Sequence, residues 1–325
     1  MAIFETKYAG LTLRNPLIIG SSGLTDKAKN NKKLEDAGVG AIVLKSLFEE
    51  QINMQGDVFM QSSDFPEAAD YIRGYVKANQ LEKYLSLIRE TKSLCTIPVI
   101  ASINCYKASA WAEFAKQIEE AGADAIELNI FYLCTNPDKS PDEMFDLYIS
   151  ILEKVKKHVT IPVIIKTGKG FSNIPRLANQ LHLHGAQGIV LFNRYYRPDI
   201  DVYKMRVISG EVLSSPSDLS DTIRWTALIA GLVPAISIAS SCGVYQWNDV
   251  IKCLLAGAHT VQICSTVYKN GTEIIPKMLK GIEEWMNETK YVSVSEFRGK
   301  LSFSNAENPS MYERSQFMRY FSDKK

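Results

Sequence analysis

Eight short apolar runs recur along the chain, separated by small or polar residues and a helical stretch, in four cases with a glycine before the next run. They are residues 17–20 (LIIG), 41–45 (AIVLK), 98–102 (PVIAS), 125–129 (AIELN), 162–166 (PVIIK), 188–192 (GIVLF), 235–239 (AISIA) and 260–264 (TVQIC). Runs apolar at nearly every position, rather than at alternate ones, suit strands covered on both faces, as in a parallel sheet. The intervening stretches have helical spacing. In 110–121, for example, Phe114, Ile118 and Ala121 recur as a helix face requires. The segments AGVG, AGAD, HGAQG and AGAH each put a glycine where a helix stops and a strand begins. Eight such units predict a (β/α)8 TIM barrel, one domain over residues 1–325. A doubly wound open sheet is the structural alternative, but no GxGxxG follows the first strand, where a dinucleotide fold wants it.

Five segments fall outside this pattern. Residues 3–13 alternate loosely around Ala9-Gly10 and predict an N-terminal β-hairpin. The 46–97, 130–142 and 193–220 stretches are longer than a loop and helix need, with a helix expected from about Leu81 and a small β excursion in the third. All three follow the C-terminal end of a strand, the face on which such barrels carry their sites, so they predict an elaborated lid. The end of the chain, 291–325, and its last part from about 303 in particular, is expected outside the barrel.

A barrel also brings the last residue of each strand to a common mouth. Two lysines close apolar runs there, Lys45 and Lys166. A buried lysine needs an anion or dense acceptors. An internal ion pair would serve, but Glu127 is the one acid inside a strand run, and it is expected to face outward between helices. That leaves both lysines for ligand contact. Asn129 and Asn193 offer a donor and an acceptor each, suited either to a heterocycle edge or to capping the next loop. The last two strands end in SSCG (240–243) and CST (264–266), where backbone N–H groups at a helix start form the usual phosphate cradle of such barrels. Together these features point to a phosphorylated cofactor lying across the barrel top.

Composition narrows the classes. A formal charge of +1 gives no field to draw nucleic acid or an acidic membrane surface, and no apolar run reaches the roughly 20 residues of a membrane helix. The N-terminus shows no evident signal peptide. Cysteines 95, 105, 134, 242, 253 and 264 make no CxxC pair and are expected as free thiols in a reducing, cytoplasmic setting. Histidines 158, 182, 184 and 259 are too scattered for a metal site, and none is expected.

Residues 124–136, DAIELNIFYLCTN, begin as a strand and open into a loop carrying a thiol between amides. With NPLIIGSSGLTD (15–26), AIVLKS, VIIKTG, Asn193, GVYQWNDVIKCLLAGAHTVQICSTVYKNG (243–271) and EFRGKLS (296–302), this stretch resembles the class 1 dihydroorotate dehydrogenases over most of the chain. Those enzymes are FMN-containing (β/α)8 barrels. The resemblance implies that Lys45 contacts flavin and substrate, that Lys166 sits by the flavin pyrimidine, and that Asn129 binds the flavin. It puts Ser22 and Gly23 near the ring, adds Ser46, Asn193 and Gly210 to the cofactor set, and lays the phosphate on the backbone of Cys242, Gly243, Ser265 and Thr266. Asn79, Asn136 and Asn193, with Lys45, become the substrate contacts.

The family's base is a cysteine in an N-L-S-C-P-N run. If Phe131-Tyr132 is an insertion, Cys134 and Asn136 fall on its C and N; if not, Tyr132 takes the base position. A thiol, ordinarily titrating near about 8.5, makes a better base than a phenol near about 10. Three segments depart from the family: 71–79 (YIRGYVKAN) keeps only Asn79 of the substrate loop, the glycine-rich run after strand six shrinks to Ser209-Gly210-Glu211, and the strand-seven turn is SSCG rather than GTGG. The expected activity is oxidation of dihydroorotate, or a similar dihydropyrimidine, by a homodimer with fumarate as acceptor. A paralogue acting on another cyclic or unsaturated substrate, a non-catalytic flavin- or phosphate-binding barrel, and a non-flavin barrel lyase or isomerase are the alternatives.

Overall fold

The computed structural model describes residues 3–48, 69–104, 108–130 and 132–315, with backbone alone for 69–77 and 108–110. The predicted hairpin is present as β1 (Thr6–Tyr8) and β2 (Leu11–Leu13), turned at Ala9-Gly10 with both residues at positive φ. The chain then alternates as predicted. It runs β3 (Leu17–Ile19), α1 (Ala28–Asp36), β4 (Ala41–Val43), β5 (Leu47–Phe48), α2 (Ala69–Leu94), β6 (Val99–Asn104), α3 (Ala108–Glu120), β7 (Ala125–Asn129) and α4 (Pro141–Lys156). It continues with β8 (Val163–Thr167), α5 (Ile174–Leu183), β9 (Gly188–Leu191), β10 (Pro198–Asp201), β11 (Arg206–Ser209), α6 (Leu219–Leu232), β12 (Ser237–Ser241), α7 (Trp247–Ala256) and β13 (Thr260–Ile263). The short α8 (Ser265–Asn270) then leads into α9 (Ile274–Thr289), α10 (Val294–Phe297) and α11 (Ser310–Glu313).

Strands β3, β4, β6, β7, β8, β9, β12 and β13 pair in parallel, and the β3–β4 and β4–β6 pairings close the ring. This is the (β/α)8 barrel. Alternation along the strands divides the core in two. Leu17, Ile19, Ile42, Val99, Ile126 and Val163 point out under the helices, while Ile18, Ala41, Ile100, Ala125, Ile164 and Ala239 point into the barrel. The hairpin supplies Tyr8, Ala9 and Leu13 to that inner cluster, which explains why so short an element precedes the first strand: it plugs one end of the ring.

The overlong segments hold one surprise, in α2, and one expected element, the β excursion of the third insertion. The helix expected from about Leu81 begins at Ala69, since 71–80 contains no proline and its lone Gly74 costs only about 1 kcal/mol in a helix. The third insertion carries an antiparallel ribbon, β10–β11, in register Ile200↔Val207. Residues 49–68 lie outside those described. The chain end lies outside the strand ring but packs on it. Phe297 is fully buried beside Trp285 and Tyr291, and the N–H groups of Gly299, Leu301 and Phe303 donate to carbonyls of Leu254, Leu255 and Ala227. No described helix is long and apolar enough to cross a membrane.

Candidate active site

At the C-terminal mouth two cavities adjoin, of about 390 and about 460 Å³, sharing Ser21, Ser22, Lys166, Asn193, Arg194 and Val212. Of the predicted residues, Gly23, Lys45, Ser46, Asn129 and Gly210 line the first, and Cys242, Gly243 and Ser265 line the second. Thr266 is fully buried just behind the second, its hydroxyl donating to the Tyr245 carbonyl at 3.1 Å.

The floor of the first cavity is a set of polar groups that the strands thrust inward. Asn129 and Asn193 meet each other: the Asn193 amide donates to Asn129 Oδ1 at 2.6 Å. Asn193 Oδ1 also accepts from the Arg194 N–H at 2.8 Å, so one side-chain amide both caps its loop and joins the floor. Beside them Lys166 is buried. Its ammonium donates to Gln262 Oε1 at 3.0 Å and stands 3.5 Å from Glu127 Oε1. Gln262 in turn donates to Glu127 Oε2 at 2.7 Å. The outward orientation expected for Glu127 is therefore wrong. Ala125, Glu127 and Asn129 share a parity on β7, and that parity faces the barrel interior, because Ile126 and Leu128 carry the contacts to the helices. Lys45 is the opposite case, exposed at the rim.

A line of hydroxyls floors the other side. Ser21 and Ser46 lie 3.0 Å apart, Ser46 and Ser102 2.7 Å apart, and the Ser46 N–H donates to Ser21 Oγ at 2.9 Å. Tyr84 of α2 reaches in to bond the N–H and C=O of Ser102, and burial, with the Glu127 charge added, pushes its phenol up.

The second cavity is a nest of N–H and hydroxyl groups. Ser214 donates through its N–H and its hydroxyl to Ser265 Oγ, at 3.0 and 2.9 Å, while Gly243 N–H donates to Ser214 Oγ at 3.3 Å. Tyr245 also donates to the Ser214 carbonyl. Cys242 and Gly243 both have positive φ, 81° and 79°. Glycine is required at 243, where a Cβ would overlap Leu219 N and stand 2.7 Å from its Cα. Cys242 adopts its left-handed conformation with a side chain, its thiol reaching the Phe192 carbonyl at 3.3 Å. Burial pushes the Cys242 and Cys264 thiols up, so both line the cavity uncharged.

Three predicted residues are not brought to the mouth. Asn79 falls within α2 and lines a shallow groove with Asp26, Lys27 and Glu82. Cys134 and Asn136 sit on the loop after β7 and line neither cavity; the half-buried thiol contacts the Asn136 carbonyl at 3.7 Å, and Asn136 Oδ1 accepts from Asp138 N–H at 3.0 Å. In their place stand residues the sequence pattern did not single out. Arg194 lines both cavities, held by Asp218 at 2.6 Å and by the Glu211 carbonyl at 2.9 Å, and Arg197 shares Asp218 at 2.8 Å. Burial alone would raise the Asp218 carboxyl, but the Ser215 N–H and the two arginines hold it below its ordinary value. Asn104, Tyr195 and Tyr196 complete the first cavity.

Residues 3–286 match the family model described as dihydroorotate dehydrogenase. The chain belongs to that family. It is 27% identical over 310 residues to a protein of Thermoplasma volcanium named dihydroorotate dehydrogenase B (NAD(+)), catalytic subunit, covering 92% of this chain and 98% of that one. A namesake from Pyrococcus horikoshii is 26% identical over 314 residues, 91% of this chain and 97% of its own. A protein of Aeropyrum pernix named putative dihydroorotate dehydrogenase A (fumarate) is 27% identical over 285 residues, covering 86% and 90%. For a dihydroorotate dehydrogenase family member the arrangement offers a flat polar edge, a buried cation and, at the far end, a nest of donors for an anion.

Proposed function

We propose that the protein is an FMN-dependent oxidoreductase that oxidises a CH–CH bond in a dihydropyrimidine carboxylate of the dihydroorotate class, with fumarate as acceptor. One observation carries this reading: two adjoining cavities that share six lining residues reach from the Lys166–Asn129–Asn193 floor to the nest around Gly243 and Ser265, which suits a planar ring at one end and a phosphate at the other. The residues fit the cofactor, because the Gly243 N–H and the Ser214 and Ser265 hydroxyls gather at one end of the second cavity. Lys166, Asn129 and Asn193 would hold the ring edge, Ser22, Gly23, Ser46 and Gly210 its surroundings, and the backbone of Cys242, Gly243, Ser265 and Thr266 the phosphate. Bound there, FMN supplies a two-electron hydride acceptor. Lys45 and the Arg194–Arg197 pair then offer cations to the substrate carboxylate at the rim. Cys134, carried in by its loop with Asn136, takes the proton from the substrate carbon. The working form is a homodimer.

Titrating purified protein with FMN tests the cofactor; a colourless protein that FMN does not reconstitute would refute it. Anaerobic dihydroorotate should then bleach the flavin, and fumarate or NAD(+) should restore it. Cys134→Ser should slow bleaching at least about 100-fold, as loss of a general base does, with Tyr132→Phe near wild type; the reverse pattern moves the base to Tyr132.

A second reading is favoured by the site itself. Asn79 lies away from the mouth, while Arg194, Tyr195 and Tyr196 line it, so the same flavin chemistry serves a different cyclic or unsaturated anion. FMN binding without bleaching by dihydroorotate selects it.

A further inference from the structure

Glu127 lies beneath the cavity, fully buried, and takes no part in the chemistry proposed above. Its setting is specific. Lys166 and Glu127 come from neighbouring strands, but Gln262 reaches them from β13, separated from β8 by β9 and β12. The bridging amide has one orientation that serves both partners, its carbonyl toward the ammonium and its amino group toward the carboxylate, and the structure shows that orientation. Taking two opposite charges out of water is unfavourable enough that apolar residues of similar volume often stabilise a core as well or better, so stability alone gives no reason for the pair. The pair also ends at a buried ammonium that lines both cavities. The Glu127 charge is felt through the core: burial pushes the Tyr8 phenol up, and the carboxylate pushes it further.

We propose that Glu127 is a positioning residue: through Gln262 it fixes the Lys166 ammonium at the cavity floor and offsets part of its charge, so that Lys166 meets a bound cofactor as half of an ion pair. The statement about the cofactor rests on the FMN reading; the statement about Lys166 does not.

Two measurements test it on Glu127→Gln, Gln262→Leu, Lys166→Met and the double variant Glu127→Gln/Lys166→Met. In FMN-free protein, modification of Lys166 by an amine-reactive ester, followed by mass spectrometry, should quicken several-fold in Glu127→Gln and in Gln262→Leu. In FMN-loaded protein, Glu127→Gln should tighten binding of reduced relative to oxidised FMN by about tenfold, the effect of unmasking one nearby charge. In the Lys166→Met background the same substitution should change that ratio not at all, because the charge it unmasks is gone. Unchanged labelling overturns the positioning role, and an equal shift with and without Lys166 shows that Glu127 acts on its own. If Glu127→Gln does not fold, Gln262→Leu, which keeps both charges, decides the labelling test. A wild-type protein that binds no FMN refutes the cofactor reading, and labelling still decides the positioning.

Discussion

Gly243→Ala isolates the demand that close packing against α6 makes on the backbone at position 243. Gly243 has φ 79°, and a Cβ there would overlap Leu219 N and lie 2.7 Å from Leu219 Cα, at the start of α6. The conformational part costs about 1 kcal/mol, the ordinary penalty for an L-residue in the left-handed region. The overlap is with backbone, which has no rotamer to give, so α6 must shift, at about 1–3 kcal/mol for an overpacked site. The sum is about 2–4 kcal/mol. For 325 residues the unfolding entropy is about 0.7 kcal/mol/K, so Tm should fall by about 3–6 °C. Gly122 provides the control: its φ is 98°, yet nothing lies within 4 Å of a Cβ there, so Gly122→Ala carries the conformational part alone, about 1–2 °C. Thermal denaturation of the FMN-free variants measures both, and FMN titration should show weakened binding for Gly243→Ala only. Equal melting temperatures, or unimpaired FMN binding by Gly243→Ala, would refute the steric argument.

Other variants probe the surroundings. Glu35 is buried; desolvation would raise its carboxyl, but Lys32 and the Thr96 and Ile97 donors bring it from 4.5 down to about 2. With the folded value the lower one, its stabilisation is complete above about 4.5 and is lost as pH falls toward 2. It amounts to about 3 kcal/mol. Urea midpoints should fall across that window, and Glu35→Gln should flatten the fall. Asp218→Asn removes the carboxylate shared by Arg194 and Arg197. Stability should drop by about 2–4 kcal/mol in urea titrations, and KM for an anionic substrate should rise about tenfold as Arg194 loses its anchor. Asn193→Ala takes the donor from Asn129 Oδ1 and should weaken FMN binding about tenfold by fluorescence titration.

Local pattern carried the barrel. Eight doubly covered runs, with glycine at four of the helix stops, leave few other ways to hide the strands, and the lysines, asparagines and small residues at strand ends were legible because the fold has only one mouth. The β7 stretch shows where legibility stopped. Asn129 could be placed by counting from the strand. Cys134 could not, since five loop residues beyond a strand end carry no periodicity to fix where a side chain points. Asn79 was misplaced for a different reason. The helix holding it continues upstream by propensity, and a residue expected on a loop stands on its exposed side.

The sequence by itself determined where the barrel strands and most of the helices lie, and hence the barrel, because continuous apolar runs mark strands covered on both faces and burial at a period of 3.6 marks helices. Only the tertiary structure decided which partners meet inside. Whether Glu127 faces the helices or the barrel turns on the side-chain parity of β7, and a run buried on both faces gives no pattern that reveals it. Gln262 reaching Lys166 spans 96 positions, and Arg194 held by Asp218 spans 24. Such contacts exist only once the ring has closed, so the polar floor of this site is a property of closure.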